Sequence, residues 1–132
     1  MKKIFFSLLC LSLLFTACDK NAKVVKNLEG TWTVTSITID GVEAPSDGYS
    51  YEFMACENVS AGCTAVVRYD NGWVATEDTV TYKIEEKGTL FTTVIDNATN
   101  ISDIIEHSKT TFITRYTDGA DQVIETTLNK DE

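Results

Sequence analysis

Four Asx-Gly pairs constrain the fold of this chain more than any other feature of its sequence. The pairs are separated by short runs rich in Thr, Val, Ile, Tyr and Phe. An Asx-Gly pair readily adopts the positive φ angles that tight hairpin turns require. β-Branched and aromatic residues suit a pleated sheet and are poor helix formers. The pattern therefore predicts an all-β domain built from hairpins, with turns at Asp40-Gly41, Asp47-Gly48, Asn71-Gly72 and Asp118-Gly119.

Apolar and polar residues alternate within these runs, as in Val80, Tyr82 and Ile84, each separated from the next by one polar residue. Every connection is short enough for a hairpin. An antiparallel up-and-down barrel of eight strands is favoured, because closure of the sheet removes its exposed edges. A β-sandwich is the alternative. The predicted strands are Gly30–Asp40, Tyr49–Cys56, Cys63–Tyr69, Asp78–Glu85, Thr89–Asp96, Ile101–His107, Thr110–Thr117 and Gln122–Asn129.

Residues 1–17 have the features of a secretory signal peptide. Lys2 and Lys3 precede an almost wholly apolar run from Ile4 to Phe15. This run is too short to span a bilayer, which takes about 20 apolar residues. A charged start, a short apolar segment and small residues before a cleavage point are typical of an export signal.

The tetrapeptide Phe15-Thr16-Ala17-Cys18 resembles the lipobox of bacterial lipoproteins. The resemblance implies that the Cys18 thiol is diacylglycerylated, with fatty acids such as palmitate, and that the signal is cut before it. A plain signal peptide with an incidental cysteine is the alternative. Two or three acyl chains hold a protein on a membrane, whereas one anchors it only marginally. We therefore expect an envelope protein anchored in the outer membrane of a Gram-negative bacterium, on its periplasmic or its outer face.

The segment that follows Cys18 is polar and rich in lysine. Residues 18–27 are predicted to be the lipidated cysteine and a tether, and residues 28–132 the folded domain. Fully extended, such a tether would reach roughly 30 Å. The domain would then be lifted off the lipid headgroups.

The chain is acidic, with a formal net charge of −9 that becomes −11 when Lys2 and Lys3 are removed with the signal. A nucleic-acid ligand needs a basic face that replaces the counterions of the phosphates. The sequence therefore excludes nucleic acid as a partner. The acidic side chains are expected to form a solvated outer surface that keeps an exported domain soluble.

Cys56 and Cys63 are the two cysteines that remain in the predicted domain. In an oxidising compartment such a pair is a candidate disulfide. A metal site is the alternative, but the single histidine, His107, is distant in the sequence and no second cysteine pair is present. We expect a structural disulfide at a hairpin tip and no metal ion. Two free thiols are the remaining alternative.

The segment NLEGTWTVTSITIDG, residues 27–41, resembles the start of lipocalin-like domains, in which Gly-x-Trp opens the first strand. Gly30-Thr31-Trp32 matches this motif, and the later stretches YKIEEKGTLFT and TTFITRYTDG are also similar to such domains. The resemblance implies an eight-stranded barrel in which Trp32 plugs the closed end. It also implies that a basic side chain from a late strand covers the Trp32 ring, and Arg115 is the first candidate for this role. The alternative is that Arg115 is a solvated residue of its strand, and its alternation with Phe112 and Tyr116 favours this alternative.

Two functions are compatible with such a barrel. The first is a non-catalytic structural or interaction module of the envelope, contacting protein or glycan through exposed aromatic residues such as Trp73. The alternative is a carrier that binds a small hydrophobic molecule, because alternating apolar side chains either fill a barrel of this size or line a pocket in it. The candidate ligand-binding residues are Trp32, Phe53, Val67, Tyr82, Leu90, Ile105 and Phe112.

Catalysis has little support in the sequence. The adjacent carboxylates of Glu77-Asp78 and Glu85-Glu86 point to opposite faces of a strand, which does not suit a paired acid and base. His107 falls at a predicted hairpin turn. No phosphate-binding loop or cofactor motif is present in the sequence. We expect no enzymatic activity and no cofactor.

Overall fold

A computed structural model describes residues 20–132 of the chain. The predicted signal peptide, residues 1–17, and Cys18 lie outside the described residues. The elements are one helix and nine strands: α1 Lys20–Leu28, β1 Gly30–Ile39, β2 Val42–Ala44, β3 Tyr49–Phe53, β4 Cys63–Asp70, β5 Ala75–Glu85, β6 Leu90–Ile95, β7 Ala98–His107, β8 Thr111–Thr117 and β9 Val123–Lys130.

Eight of these strands close into an antiparallel barrel. β1 pairs with β3, each later strand pairs with the next, and β9 returns to β1 in a register that runs from Trp32 opposite Lys130 to Ile39 opposite Ile124. The short strand β2 pairs only with the last residues of β1, Ile37–Ile39. The predicted eight-stranded up-and-down barrel is confirmed, and the sandwich is excluded because the sheet is continuous and closed.

Alternate side chains of each strand point into the barrel. Val80, Tyr82 and Ile84 of β5 are all buried, as their spacing predicts. β7 departs from strict alternation, because its pairing with β8 shifts between Ile104 and Glu106. Such a shift marks a β-bulge, which leaves Ile105 without a cross-strand partner in β8 and changes the alternation of the residues after it.

The predicted tether is wrong for the described part of residues 18–27. Lys20–Leu28 forms a helix whose Val24, Val25 and Leu28 side chains are buried in the core. Three apolar residues on one face are enough, because each fully buried aliphatic side chain stabilises the fold by about 1.5–3 kcal/mol. The folded domain therefore includes residues 20–27, which were predicted to belong to the tether. No helix in the described range 20–132 is long and apolar enough to cross a membrane.

Candidate functional site

The helix seals one end of the barrel, which we call the closed end. The Asn21 Oδ1 atom accepts a hydrogen bond of 2.7 Å from the backbone N–H of Gly88, in the β5–β6 turn. Gly88 has a φ of +83°, and a Cβ atom there would lie 3.0 Å from Val24 Cγ2. A glycine is therefore required both by the turn and by the close approach of α1.

Trp32 lies under the helix and is fully buried. Its indole Nε1 donates a hydrogen bond of 2.6 Å to the carbonyl oxygen of Leu28. Lys130 Nζ lies 5.5 Å from the centroid of the Trp32 ring and donates to the carbonyl oxygen of Asn27 at 3.2 Å. Lys130, not the candidate Arg115, therefore covers the Trp32 ring, and the alternative of a solvated strand residue holds for Arg115. Arg115 instead forms an ion pair of 2.6 Å with Glu125 across β8 and β9, on the outer face.

The disulfide between Cys56 and Cys63 is present in the structure. It closes the loop of residues 54–62, which joins the end of β3 to the start of β4 at the closed end. Cys63 is buried and belongs to the same core as Trp32. The bridge therefore fastens the loop to the part of the barrel that the helix covers.

Aromatic rings fill the barrel above the helix. Phe53 contacts the rings of Tyr82, Phe91 and Phe112, at centroid separations of 5.2, 6.3 and 6.4 Å and mostly edge to face. The Tyr82 hydroxyl is buried and has no hydrogen-bond partner among the described residues. Burial, with a smaller contribution from the charge of Glu29, raises the pKa of Tyr82 to about 12. This half of the barrel is a packed core.

The other half of the barrel contains a cavity of about 210 Å³, which we call the cup. Its floor is apolar and is formed by Phe53, Phe91, Phe112 and Leu128. Its wall combines the apolar side chains of Val67, Val80 and Ile95 with polar, uncharged side chains, those of Thr93, Asn100, Ser102, Thr114 and Thr126. The barrel is thus neither wholly filled nor wholly hollow.

Phenol side chains stand near the entrance of the cup. Tyr51 and Tyr116 line it, and the rings of Tyr49 and Tyr69 stack beside them with centroids 4.6 Å apart. Burial raises the pKa of Tyr51, and the neighbouring Tyr49 and Tyr116 raise it further. The raised pKa keeps the Tyr51 phenol neutral at physiological pH, and the four side chains offer hydroxyl groups and ring faces.

Three of the seven predicted ligand-binding residues line the cup: Phe53, Val67 and Phe112. Trp32 and Tyr82 are buried in the core at the closed end. Leu90 and Ile105 are wrong as pocket residues. Leu90 is paired with Glu85 and Asp103 and shares their outer face, whereas the next residue, Phe91, points inward. Ile105 falls at the β7 bulge and is 45% exposed.

The polar side chains of the wall were not predicted from the sequence, because only apolar positions were considered as candidates for ligand binding. The signal was nevertheless present in the alternation itself. Phe91 and Thr93 of β6 share the inner face with Ile95, and Phe112 shares it with Thr114 and Tyr116 of β8. An inward phenylalanine therefore identifies the polar residue two positions later as part of the wall.

A larger groove of about 720 Å³ lies outside the barrel, between α1 and the disulfide loop. It opens broadly to solvent, and Lys23, Lys26, Glu29 and Glu57 are among its lining residues. A site that binds a small molecule is usually concave and mostly enclosed. The cup is the better candidate on this ground. Among residues 20–132 there is no group of three His, Cys, Asp or Glu side chains that could hold a metal ion.

No family model and no curated protein matches the chain. Solved structures do match it in shape. One is a lipocalin-like protein from Bacteroides uniformis, with a TM-score of 0.61 and 12% identity over 80% of this chain and 99% of that one. Another is a redesigned β-barrel, with a TM-score of 0.59 and 15% identity over 83% of this chain and 96% of that one. At such low identities the likeness concerns the fold alone, which is a closed, eight-stranded, lipocalin-like β-barrel.

Proposed function

We propose that this protein is a non-catalytic binding module of a bacterial cell envelope. Acyl chains on Cys18 hold it on the outer membrane, and the cup takes up one small molecule with an apolar part. The observation that carries the proposal is the cavity of about 210 Å³ with an aromatic floor at one end of an otherwise packed barrel. Apolar pockets with a few polar groups are the usual form of small-molecule sites.

The volume of the cup limits the ligand. Drug-sized ligands occupy pockets of about 300–1,000 Å³, so a long acyl chain or a large ring system is too big. Each water takes about 30 Å³ of liquid, so the cup has room for roughly seven waters or one small organic molecule. A single aromatic ring with a short polar substituent fits these limits.

The position of the helix supports a defined orientation on the membrane. Cys18 precedes α1 by two residues, and α1 covers the closed end. An acyl anchor at Cys18 would therefore bring the closed end close to the headgroups. The exposed lysines of α1, Lys20, Lys23 and Lys26, suit an anionic surface. The entrance of the cup would then face away from the membrane, where a ligand in solution can reach it.

The side chains that line the cup support a non-catalytic role. Its titratable groups are the phenols of Tyr51 and Tyr116. The pKa of Tyr51 is raised, which opposes its use as a base or nucleophile near neutral pH. His107 lies at the end of β7, at the closed end, and is exposed.

A matched pair of variants tests the cup. Thr93→Phe places a large side chain inside the cavity, whereas Thr92→Phe places the same side chain on the opposite face of β6. We expect 2-phenylethanol to bind saturably to the full chain in phosphatidylcholine nanodiscs, measured by calorimetry against empty nanodiscs. Binding should be lost in Thr93→Phe and kept in Thr92→Phe. Equal binding by both variants, or no saturable binding by the unmodified chain, rejects the cup as the site of 2-phenylethanol.

The anchor is tested separately. Cys18→Ala should abolish labelling with a fatty-acid analogue and move the protein out of the membrane fraction of the host cell. Cys10→Ala is the matched control. Cys10 lies inside the predicted signal peptide, so its replacement should change neither the labelling nor the membrane localisation. A Cys18→Ala chain that is still acylated contradicts the lipoprotein assignment.

An interaction module is the second candidate, and one observation favours it. Trp73 is 94% exposed in the β4–β5 turn, and the neighbouring Val74 is also exposed. An exposed tryptophan is a frequent anchor for a protein or glycan partner. Trp73→Ala should then abolish retention of the protein on isolated envelopes without changing ligand binding in the cup. Unchanged retention argues against this second role.

A further inference from the structure

The end of the barrel that holds the entrance of the cup, which we call the mouth, is formed by four connections: residues 40–48, 70–74, 96–97 and 118–122. None of these segments contains a lysine, arginine or histidine. They contain seven carboxylates, and three of these are held by backbone N–H groups, as in the bond of 2.8 Å from Val123 to Asp40. The seven are Asp40, Glu43, Asp47, Asp70, Asp96, Asp118 and Asp121.

The basic residues of the described chain lie elsewhere. All seven of its lysines are on or near the closed end, in α1, the end of β5, the turns at 86–89 and 108–110, and the end of β9. The two arginines are nearer the mouth, but carboxylates neutralise them. Arg68 contacts Glu52 at 2.7 Å and Glu77 at 2.8 Å, and Arg115 contacts Glu125 at 2.6 Å. The entrance therefore offers no uncompensated positive charge.

The inside of the entrance adds an independent observation. Tyr51 and Tyr116 line the cup, and Tyr49 and Tyr69 stack beside them. The face of an aromatic ring attracts an ammonium group within about 6 Å of its centroid. The wall also supplies hydroxyl and amide oxygens from Ser102, Thr114 and Asn100, which can accept hydrogen bonds from an ammonium group.

We propose that the cup selects small organic cations, namely primary ammonium compounds with an apolar body, and rejects carboxylates of the same shape. The apolar body lies on the floor at Phe91 and Phe112, and the ammonium group lies between Tyr51 and Tyr116, below the acidic mouth. This proposal rests on the cup being a binding site. It goes further by assigning the charge of the ligand.

Three probes of matched shape test the proposal. They are 2-phenylethylammonium, the neutral 2-phenylethanol and the anionic phenylacetate, each titrated into the full chain in phosphatidylcholine nanodiscs at low salt, with empty nanodiscs as the blank. We expect the ammonium compound to bind at least about tenfold more tightly than phenylacetate, with the alcohol between them, because like charges repel and opposite charges attract across a partly desolvated site.

Charge-removing variants separate the acidic mouth from other causes. Asp96→Asn and Asp121→Asn together remove two mouth charges and keep residues that tolerate the positive φ of both positions. Glu86→Gln and Glu106→Gln remove two charges at the closed end as the matched control. The mouth variant should weaken 2-phenylethylammonium binding roughly two- to fourfold at low salt and leave 2-phenylethanol unchanged. The control should change neither.

The outcomes distinguish this proposal from the proposed function. If none of the three probes binds, the cup is not a site and both proposals fail. If 2-phenylethanol binds but the ammonium compound shows no advantage over phenylacetate, the charge selection is wrong and the cup stands. A mouth variant that binds the ammonium compound as well as its closed-end control also overturns the charge selection.

Discussion

The two ends of this barrel are built from the same strands and differ in almost every other respect. At the closed end a helix, a disulfide, a buried tryptophan and a cluster of rings fill the interior. At the mouth the same strands carry threonine, serine, asparagine and tyrosine around a cavity of about 210 Å³. The comparison indicates that stability is concentrated at one end, which leaves the other free to bind a ligand. Each prediction below tests this division.

The largest effect is expected from Trp32→Ala. This change removes a fully buried ring, its hydrogen bond to Leu28 and its contact with Lys130, and should cost about 3–5 kcal/mol of unfolding free energy. Chemical denaturation measures the loss. Tyr116→Ala is the counterpart at the mouth and should cost much less, since Tyr116 is only half-buried. Equal losses would mean that the mouth carries as much of the core as the closed end does.

Removing the disulfide is the next largest perturbation. Cys56→Ala with Cys63→Ala opens a short loop and should cost roughly 2–3 kcal/mol on the chain-entropy model. Denaturation of the unmodified chain with and without reductant gives an independent value for the same bond. Ligand binding by the variant should survive, because neither cysteine lines the cup. Loss of binding in a variant that is still folded would show that ligand binding in the cup depends on the disulfide at the closed end.

The stability of the protein should also fall at alkaline pH because of Tyr82. Its folded pKa of about 12 lies above the unfolded value of 10.0, so the neutral phenol is favoured in the native state. The resulting stabilisation is complete below about pH 10 and is lost as the pH rises towards 12, by up to about 2 kcal/mol after allowance for partial solvent screening.

Tyr82→Phe should remove this part of the alkaline loss of stability in pH-dependent denaturation. It should also raise stability near pH 7 by about 1 kcal/mol, because the hydroxyl is buried without a partner in the described chain. An unchanged alkaline loss would show that Tyr82 is not its source.

The smallest effect concerns the lysine that covers Trp32. Lys130→Met removes the charge over the ring and the hydrogen bond to Asn27, and should cost about 0.5–1.5 kcal/mol. Lys130→Arg should recover part of the loss, since a guanidinium can also cover the ring. Arg115→Met is the comparison on the outer face and should be nearly neutral, because its ion pair is exposed. A larger loss in Arg115→Met than in Lys130→Met would contradict the assignment of Lys130 as the residue that covers Trp32.

The sequence was sufficient for the barrel and for three residues of the cup. Asx-Gly turns and strict alternation determine strand order and closure, and they place Phe53, Val67 and Phe112 correctly. Three features escaped prediction for physical reasons. A helix with only three apolar residues depends on the barrel for its stability, so its own sequence reads as a polar tether.

The other two features depend on pairing between strands. The pairing of β7 with β6 places Ser102 opposite the inward Phe91, so Ile105, three positions later, faces outward. Local sequence does not encode this register. The cup exists because some inward side chains are too small to meet across the barrel. Threonine and serine at inner positions therefore indicate a cavity only when the strands opposite them are known.

The division between a packed end and a binding end is tested most directly by methyl NMR during a titration with 2-phenylethanol. Val67, Ile95 and Leu128 carry methyl groups at the cup, and Val24, Val25 and Leu28 carry them under the helix. The account predicts saturable shifts in the first set, little change in the second, and none at the exposed Val94 and Ile101 of the outer face. Shifts that are equal in both sets, or that rise linearly without saturation, would contradict it.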